Sequence, residues 1–157
     1  MKLKLIALGK VKREAFQNLA DEYERRIRHF HPFEVVELPD EKVNSKNDVP
    51  RILDKEAERI EKALKRDSHL IVLDEKGEQW SSVDLAWELG QLFQQPVSEI
   101  VFLIGGAFGV ADSLKKKAKV LLSLSKLTLP HQLARVLTLE QLYRALTILK
   151  NVPYHHD

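Results

Sequence analysis

The chain has 157 residues, a length that predicts a single domain spanning residues 1–157, since domains hold roughly 100 to 200 residues. Hydrophobic residues make up 44% and charged residues 31%, with a formal net charge of +2, and this composition excludes disordered, collagenous and fibrous classes. With no cysteine, the chain has no disulfide, thiolate zinc site, iron–sulfur cluster or cysteine nucleophile.

Hydrophobic periodicity predicts an alternation of strands and helices along the chain. Residues 2–8 alternate as a strand does, and residues 13–30 then carry apolar residues at the spacing of one helix face. Runs such as 69–73 and 100–104 are continuously apolar, as in strands buried on both faces. The predicted strands are 2–8, 33–38, 69–73, 100–104 and 120–124, and the predicted helices are 13–30, 51–66, 82–93, a short one from 112, and 131–150.

Two local signals refine this pattern. Ser81 and Asp84 resemble a capping box that opens the third helix, and Gly77 is expected to end the strand before it. Strand and helix alternate five times, which predicts an α/β fold, a parallel sheet with helices on both faces. Ligands of such sheets bind outside the carboxyl ends of the strands.

Three segments are expected at that edge of the sheet: 73–77, 104–109 and 123–130. The glycines of the second let the backbone approach a ligand, although the spacing matches neither a dinucleotide fingerprint nor a P-loop, and a plain tight turn is an equal alternative. In the third, the hydroxyl groups either point outward from an edge strand or belong to a loop that binds an adenine between leucines.

The last helix is apolar on more than one side, which is typical of a helix buried between two bodies. In so short a chain the second body is expected to be another copy, so the sequence predicts a homodimer through this helix. Arg135 and Arg144 interrupt its apolar surface. They are either partners of Glu140 and rim residues or groups that bind phosphate or an anionic base.

Basic residues are concentrated near the C-terminus. Between residues 113 and 151 a single acid, Glu140, faces eight basic residues: Lys115, Lys116, Lys117, Lys119, Lys126, Arg135, Arg144 and Lys150. This segment is either a solvated helix face or a surface for a polyanion such as nucleic acid.

No segment resembles a leader or a membrane span, because the longest apolar runs are far shorter than about 20 residues. A cytoplasmic protein without membrane contact is therefore expected.

The histidines of the chain do not have the spacing that is typical of metal ligands, so no metal site is expected. In the tail, an aromatic residue beside a histidine could stack on a base and accept a proton near neutral pH.

Four motifs taken together, in this order and spacing, resemble one known family. They are IVLDEKGEQWSS at 71–82, FLIGGAFG at 102–109, SLSKLTLPHQLARV at 123–136 and EQLYRALTILKNVPYHH at 140–156. The chain is similar, over its whole length, to the SPOUT-class ribosomal large-subunit methyltransferases that modify N3 of a pseudouridine in bacterial 23S rRNA.

The resemblance implies a trefoil knot in the C-terminal part, a homodimer, and S-adenosyl-L-methionine bound in the knot. The small size of the chain, with no added RNA-binding domain, favours 23S rRNA already presented by a large structured particle, the assembled ribosome. By motif position the cofactor-binding residues are Leu73, Gly105, Gly106, Leu124, Ser125, Lys126, Leu127, Thr128 and Leu129.

Methylation of N3 requires alignment with the methyl donor, a base for the N3 proton and a cation for the resulting imide anion. We assign His155 as the base, Arg144 as the anion stabiliser and Tyr154 as the residue that positions the base. The predicted phosphate contacts are Lys115, Lys116, Lys117, Lys119 and Arg135. Two alternatives stay open at this point, a non-catalytic ribosome-binding protein on a knotted scaffold and a SPOUT methyltransferase that acts on tRNA.

Overall fold

A computed structural model describes residues 1–156 and contains five strands, five α-helices and one 3₁₀ turn. The strands are β1 Lys2–Leu8, β2 Phe33–Leu38, β3 His69–Gln79, β4 Glu99–Ile104 and β5 Val120–Ser123. The helices are α1 Glu14–Phe30, α2 Val49–Ala63, α3 Ser82–Leu92, α4 Asp112–Lys117 and α5 His131–Leu149, with the 3₁₀ turn at Lys46–Asp48. The predicted alternation of strands and helices is confirmed.

The five strands form one parallel sheet in the order β2-β1-β4-β3-β5. Side chains of β1 alternate between two separate cores, as the pleat requires. Leu3 and Leu5 join α1, α3 and α5 on one face, whereas Ile6 and Leu8 join α2 and α4 on the other. The prediction of helices on both faces is therefore confirmed, while the knot implied by the resemblance stays a prediction.

The strand β3 is longer than its apolar run. It continues through Gly77 to Gln79, with a register shift between Leu73 and Glu78 against β5. A Cβ at Gly77 would lie 2.4 Å from the carbonyl oxygen of Leu121. The expectation that Gly77 ends the strand is thus wrong, because this glycine instead allows two backbones to pass in close contact.

Helix α3 begins where the sequence predicts. The Ser81 hydroxyl accepts from the backbone N–H of Asp84 at 3.1 Å, and the Asp84 carboxylate accepts from the backbone N–H of Ser81 at 2.9 Å. This confirms the capping box, which satisfies two amides that the first helical turn leaves without partners.

Helix α5 lies between α1 and α3 of its own chain. Its buried side chains on that side include Leu139, Leu142 and Leu146. Much of the apolar surface that predicts a dimer is therefore covered within one chain. No helix in residues 1–156 is both long and apolar enough to cross a membrane.

Candidate active site

The loops after β3, β4 and β5 meet at the carboxyl edge of the sheet, where the parallel strands end, and enclose a cavity of about 540 Å³. We call it the cofactor cavity. Of the nine residues predicted to bind a cofactor, eight line it: Leu73, Gly105, Gly106, Leu124, Ser125, Leu127, Thr128 and Leu129. Lys126, the ninth, is exposed and is not part of its wall.

The glycine-rich loop after β4 folds back on itself. Gly109 donates its N–H to the carbonyl of Gly106 at 3.1 Å and has a φ of +79°. A Cβ at Gly105 would lie 2.4 Å from the carbonyl oxygen of Gly109, so no other residue fits there without a shift of the backbone. The loop is therefore a close turn that also lines the cavity, and the two readings of its glycines are compatible.

The loop after β5 is held by its own hydroxyl groups. Ser123 Oγ donates to the carbonyl of Ser125 at 2.9 Å, and Ser125 Oγ accepts from the N–H of Leu127 at 3.0 Å. Because β5 ends at Ser123, Ser125 and Thr128 lie on a loop and not on an edge strand. The Leu127 side chain is 75% exposed at the rim, where a ligand can cover it.

An ion pair in the cavity wall was not assigned to the cofactor site from the sequence. Lys115 Nζ lies 2.5 Å from Asp74 Oδ2, and the hydrogen bond from Lys115 holds the pKa of Asp74 below its ordinary value. Lys115 thus lines the cofactor cavity, although the sequence predicts it as an RNA contact. In the sequence, the position of Asp74 directly after the buried run of β3 could have indicated that this carboxylate lies at the ligand site.

The three predicted catalytic residues lie together at the far end of α5. Arg144 Nη1 is 3.3 Å from His155 Nδ1, and the guanidinium carbon lies 4.8 Å from the centre of the Tyr154 ring. Glu140 completes this group, which we call the Arg144 cluster. Its carboxylate accepts from Arg144 Nη2 at 2.6 Å and from the Tyr154 hydroxyl at 3.1 Å.

The pKa values within the Arg144 cluster follow from these contacts. The hydrogen bond to Glu140 raises the pKa of Arg144, so this side chain stays a cation. Burial is the main reason that the pKa of Tyr154 is raised, so its hydroxyl keeps its proton and donates to Glu140. The pairing of Arg144 with Glu140, one of the two alternatives for this arginine, is observed, and it leaves Nη1 directed to His155.

The cofactor cavity and the Arg144 cluster lie at opposite ends of α5. His131, the first residue of the helix, lines the cavity, and Arg144 follows thirteen residues later. At about 1.5 Å per residue, the two positions are roughly 20 Å apart along the helix axis. The structure therefore brings each predicted group together but leaves a gap between them in one chain.

The predicted RNA-contact residues have three different environments. Lys116 and Lys119 are exposed, and Lys117 forms an exposed ion pair with Glu61. Arg135, by contrast, is only 2% exposed, pairs with Glu37 and donates from Nη2 to the carbonyl of Gly9 at 2.7 Å. This corrects the prediction for Arg135, which connects α5 to the ends of β1 and β2 and cannot contact RNA.

No group of three or more acidic, histidine or cysteine side chains within residues 1–156 could hold a metal ion. The fold and the cavity define an α/β protein with a small-ligand site at the carboxyl edge of its sheet. The family model described as "Predicted SPOUT methyltransferase" matches residues 1–155. The chain belongs to this family of methyltransferases.

Relatives of known name agree with the family. "Ribosomal RNA large subunit methyltransferase H" of Geobacter metallireducens is 44% identical over 157 residues, which is all of both chains. The protein of the same name from Caldicellulosiruptor saccharolyticus is 42% identical over 98% of this chain and 99% of its own. Among solved structures, a probable methyltransferase from Bordetella pertussis Tohama I has a TM-score of 0.57 at 16% identity, covering 92% of this chain and 94% of that one, which supports the fold alone.

Proposed function

We propose that this SPOUT methyltransferase transfers a methyl group from S-adenosyl-L-methionine to N3 of a pseudouridine in 23S rRNA, within the ribosome and in the cytoplasm. The observation that carries the proposal is the convergence of three motif segments, distant in sequence, on one cavity at the carboxyl edge. The names of full-length relatives at 44% and 42% identity support large-subunit RNA as the substrate.

The cofactor cavity suits this donor. Its volume of about 540 Å³ falls within the range of about 300 to 1,000 Å³ typical of small-ligand sites. Leucines such as Leu124 and Leu129 offer apolar surface, the loop at Gly105 offers bare backbone, and the Asp74–Lys115 pair offers both signs of charge. S-adenosyl-L-methionine bound there supplies a methyl group on a positively charged sulfur.

The contact between Arg144 and His155 suggests how the acceptor is activated. A guanidinium only donates hydrogen bonds, so His155 Nδ1 is the acceptor of this contact, and the proton of the neutral ring is on Nε2. Nδ1 can therefore take the N3 proton once its contact with Arg144 Nη1 is broken and Nη1 donates to an imide oxygen of the base. A single exchange of partners then supplies both the base and the cation that stabilises the imide anion.

The neighbours of Arg144 keep it in place for this exchange. Glu140 holds the guanidinium through Nε at 3.0 Å and Nη2 at 2.6 Å, which leaves the two N–H groups of Nη1 for His155 and the substrate. Tyr154 lies under the guanidinium and donates to the same carboxylate. In this proposal Tyr154 and Glu140 are positioning residues, while His155 and Arg144 contact the reacting base.

We also propose a homodimer through α5. Because α1 and α3 cover much of the apolar surface of this helix, the geometry of the two sites now supports this dimer instead. A second copy with an antiparallel α5 would place the Arg144 cluster of one protomer near the cofactor cavity of the other, because a two-fold axis brings the two helix ends together. Apolar side chains remain exposed on α5 and on its neighbour α3. Leu133 is 38%, Val83 48% and Trp87 59% exposed.

Phosphate contacts would come from the lysines after β4. Lys116, Lys117 and Lys119 are exposed on and just after α4, and Lys115 of the same helix lies in the cavity wall. This arrangement places positive charge beside the methyl donor, where the RNA backbone must pass if a base is to reach the cavity.

The decisive experiment incubates assembled ribosomes, separated subunits and bulk tRNA with labelled S-adenosyl-L-methionine and maps the label by mass spectrometry. We expect label at N3 of one pseudouridine of 23S rRNA. Arg144→Ala should abolish labelling and leave cofactor affinity within about twofold, because Arg144 is not part of the wall of the cofactor cavity and is assigned to the imide anion of the acceptor base. Sedimentation of the same preparations reports whether the protein is dimeric.

Three other outcomes would contradict parts of this proposal. Cofactor binding without label in any RNA would indicate a non-catalytic ribosome-binding protein, and label in tRNA alone would replace the substrate. Full turnover by Arg144→Ala would overturn its assignment as the stabilising cation.

A further inference from the structure

A second cavity, of about 300 Å³, adjoins the cofactor cavity. Leu122 and Leu124 form part of the wall of both. The remaining wall comes from the end of β3, the start of α3, the end of β5 and one face of α5: Trp80, Ser81, Ser82, Leu85, Ser123, Leu137 and Gln141. None of these seven residues belongs to the methyl-donor site proposed above.

The two cavities follow one another along a single face of α5. His131 and Ala134 line the cofactor cavity, and Leu137 and Gln141 line the second cavity. Steps of three and four residues keep these positions on the same side of the helix. The second cavity therefore lies within the gap between the cofactor cavity and the Arg144 cluster, directly beside the cofactor cavity.

Its lining suits a single nucleobase. Enzymes that modify a base extrude it into a pocket, stack it against aromatic or apolar side chains and read its edge with hydrogen bonds. The half-buried indole of Trp80 is held by a 3.2 Å hydrogen bond from Nε1 to Glu78, and Leu85 and Leu137 supply apolar walls. A methyl acceptor must also lie next to the donor, and the shared residues Leu122 and Leu124 show that the two cavities are adjacent.

Gln141 is the polar group that can read the edge of a base. Its Oε1 accepts from Ser82 Oγ at 2.7 Å, and its Nε2 donates to Glu140 at 2.6 Å. A carboxamide has two lone pairs on oxygen and two N–H groups, so each of these bonds uses half of its capacity. The side chain is thus held in place with one acceptor and one donor to spare.

The spare donor and acceptor match one edge of pseudouridine. Because its ring is joined to the sugar through carbon, pseudouridine carries an N1–H beside the C2 carbonyl, whereas N1 of uridine is bonded to the sugar. A carboxamide can accept from N1–H and donate to the C2 oxygen. This pairing leaves N3, on the other side of the C2 carbonyl, free to face the methyl donor.

We infer that the second cavity binds the target base, that Trp80 stacks on it, and that Gln141 selects pseudouridine over uridine through the N1–H and C2 carbonyl. The inference rests on the proposed function and adds to it the site and the means of base selection. Ser82 and Glu140 act as positioning residues for the Gln141 carboxamide.

The test compares assembled ribosomes that carry pseudouridine at the target position of 23S rRNA with otherwise identical ribosomes that carry uridine there. For each enzyme the ratio of the two kcat/KM values gives the selectivity. Wild type should prefer pseudouridine, and Gln141→Leu should reduce that preference by about tenfold or more, the effect of losing a hydrogen bond that only one substrate offers. Cofactor affinity, measured by calorimetry, should stay unchanged.

Matched variants separate this effect from damage to the fold. Gln91→Leu makes the same change on the exposed surface of α3 and should keep the wild-type ratio. Gln141→Asn keeps the carboxamide but withdraws it by one methylene, so its selectivity should fall between wild type and Gln141→Leu, and it serves alone if Gln141→Leu does not fold.

The outcomes distinguish the inference from the proposed function. If wild type labels N3 in neither particle, the proposed function fails. If wild type labels N3 but shows no preference between the particles, or if the Gln141 variants keep the full preference, the proposed function stands and the assignment of the second cavity is overturned.

Discussion

The two edges of the sheet differ in how they treat polar groups. At the amino edge, where the strands begin, the buried carboxylate of Glu99 lies 2.7 Å from Lys4 Nζ and accepts from Ser68 Oγ at 2.6 Å. At the carboxyl edge, the loops at Gly105 and Leu127 surround an open cavity instead. The same parallel strands therefore supply a closed polar network at one end and a ligand site at the other.

The comparison shows why the two edges tolerate change differently. Buried charges at the amino edge have partners in the protein, so removing one leaves another unpaired in a poorly hydrated place. Groups at the carboxyl edge can find partners in a ligand, so changes there should affect binding before stability.

Glu99→Ala should destabilise the fold by about 3 to 5 kcal/mol, because the buried Lys4 then keeps only the more distant carboxylate of Glu34, at 3.6 Å, in place of Glu99 at 2.7 Å. Lys4 is 6% and Glu99 0% exposed. Urea unfolding at pH 7 measures the loss, while cofactor affinity below the unfolding range should stay unchanged. A loss below about 1 kcal/mol, as for an exposed ion pair, would contradict the proposed difference between the two edges.

The pH dependence of stability tests the same ion pair of Lys4 and Glu99. Burial raises the pKa of Glu99, but hydrogen bonds from Lys4 and Ser68 outweigh it and keep the pKa below its ordinary value. The stability from this carboxylate is therefore present above the pKa of the unfolded chain and is lost as pH falls through the folded pKa. Wild type should lose more stability on acidification than Glu99→Ala, and Glu58→Ala, which removes an exposed carboxylate, should behave like wild type.

Gly105→Ala should weaken cofactor binding by about tenfold or more while changing stability less than Glu99→Ala does. The added Cβ would meet the Gly109 carbonyl at 2.4 Å, so the loop must move away from its cavity-lining position. Calorimetric titration with S-adenosyl-L-methionine measures the loss. Gly90→Ala, whose nearest neighbour is the flexible Leu149 side chain at 3.0 Å, is the control and should bind normally.

Replacing Lys116 and Lys119 together by Gln should give the smallest effect, a severalfold weaker ribosome affinity at low salt. The slope of log affinity against log salt should decrease by about 1 to 2, since each lost phosphate contact releases about one counterion fewer. Filter binding over a salt series measures this slope. Lys42→Gln with Lys46→Gln removes two exposed lysines elsewhere and should keep the slope, and an unchanged slope in both pairs would contradict a phosphate-contact role for Lys116 and Lys119.

Sequence patterns predicted most of the fold because the signals were local. Alternation in β1, the continuous apolar run of β4 and the Ser81–Asp84 capping box depend on neighbours a few residues away, and all three are confirmed. The prediction that Gly77 ends a strand was wrong because the role of this glycine depends on a distant part of the chain. Its role depends on Leu121, whose backbone passes beside it only in the folded sheet.

By itself, the sequence determined the order of elements, the parallel sheet and the three loops that meet at the carboxyl edge, since periodicity and turn residues act over short distances. Only the tertiary structure decided the environment of each charge. It buried Arg135 against Glu37, placed Lys115 in the cavity wall and formed the second cavity beside Gln141. These arrangements depend on which helix faces the neighbouring elements cover, and that packing joins residues as far as 126 positions apart, as Gly9 and Arg135 are.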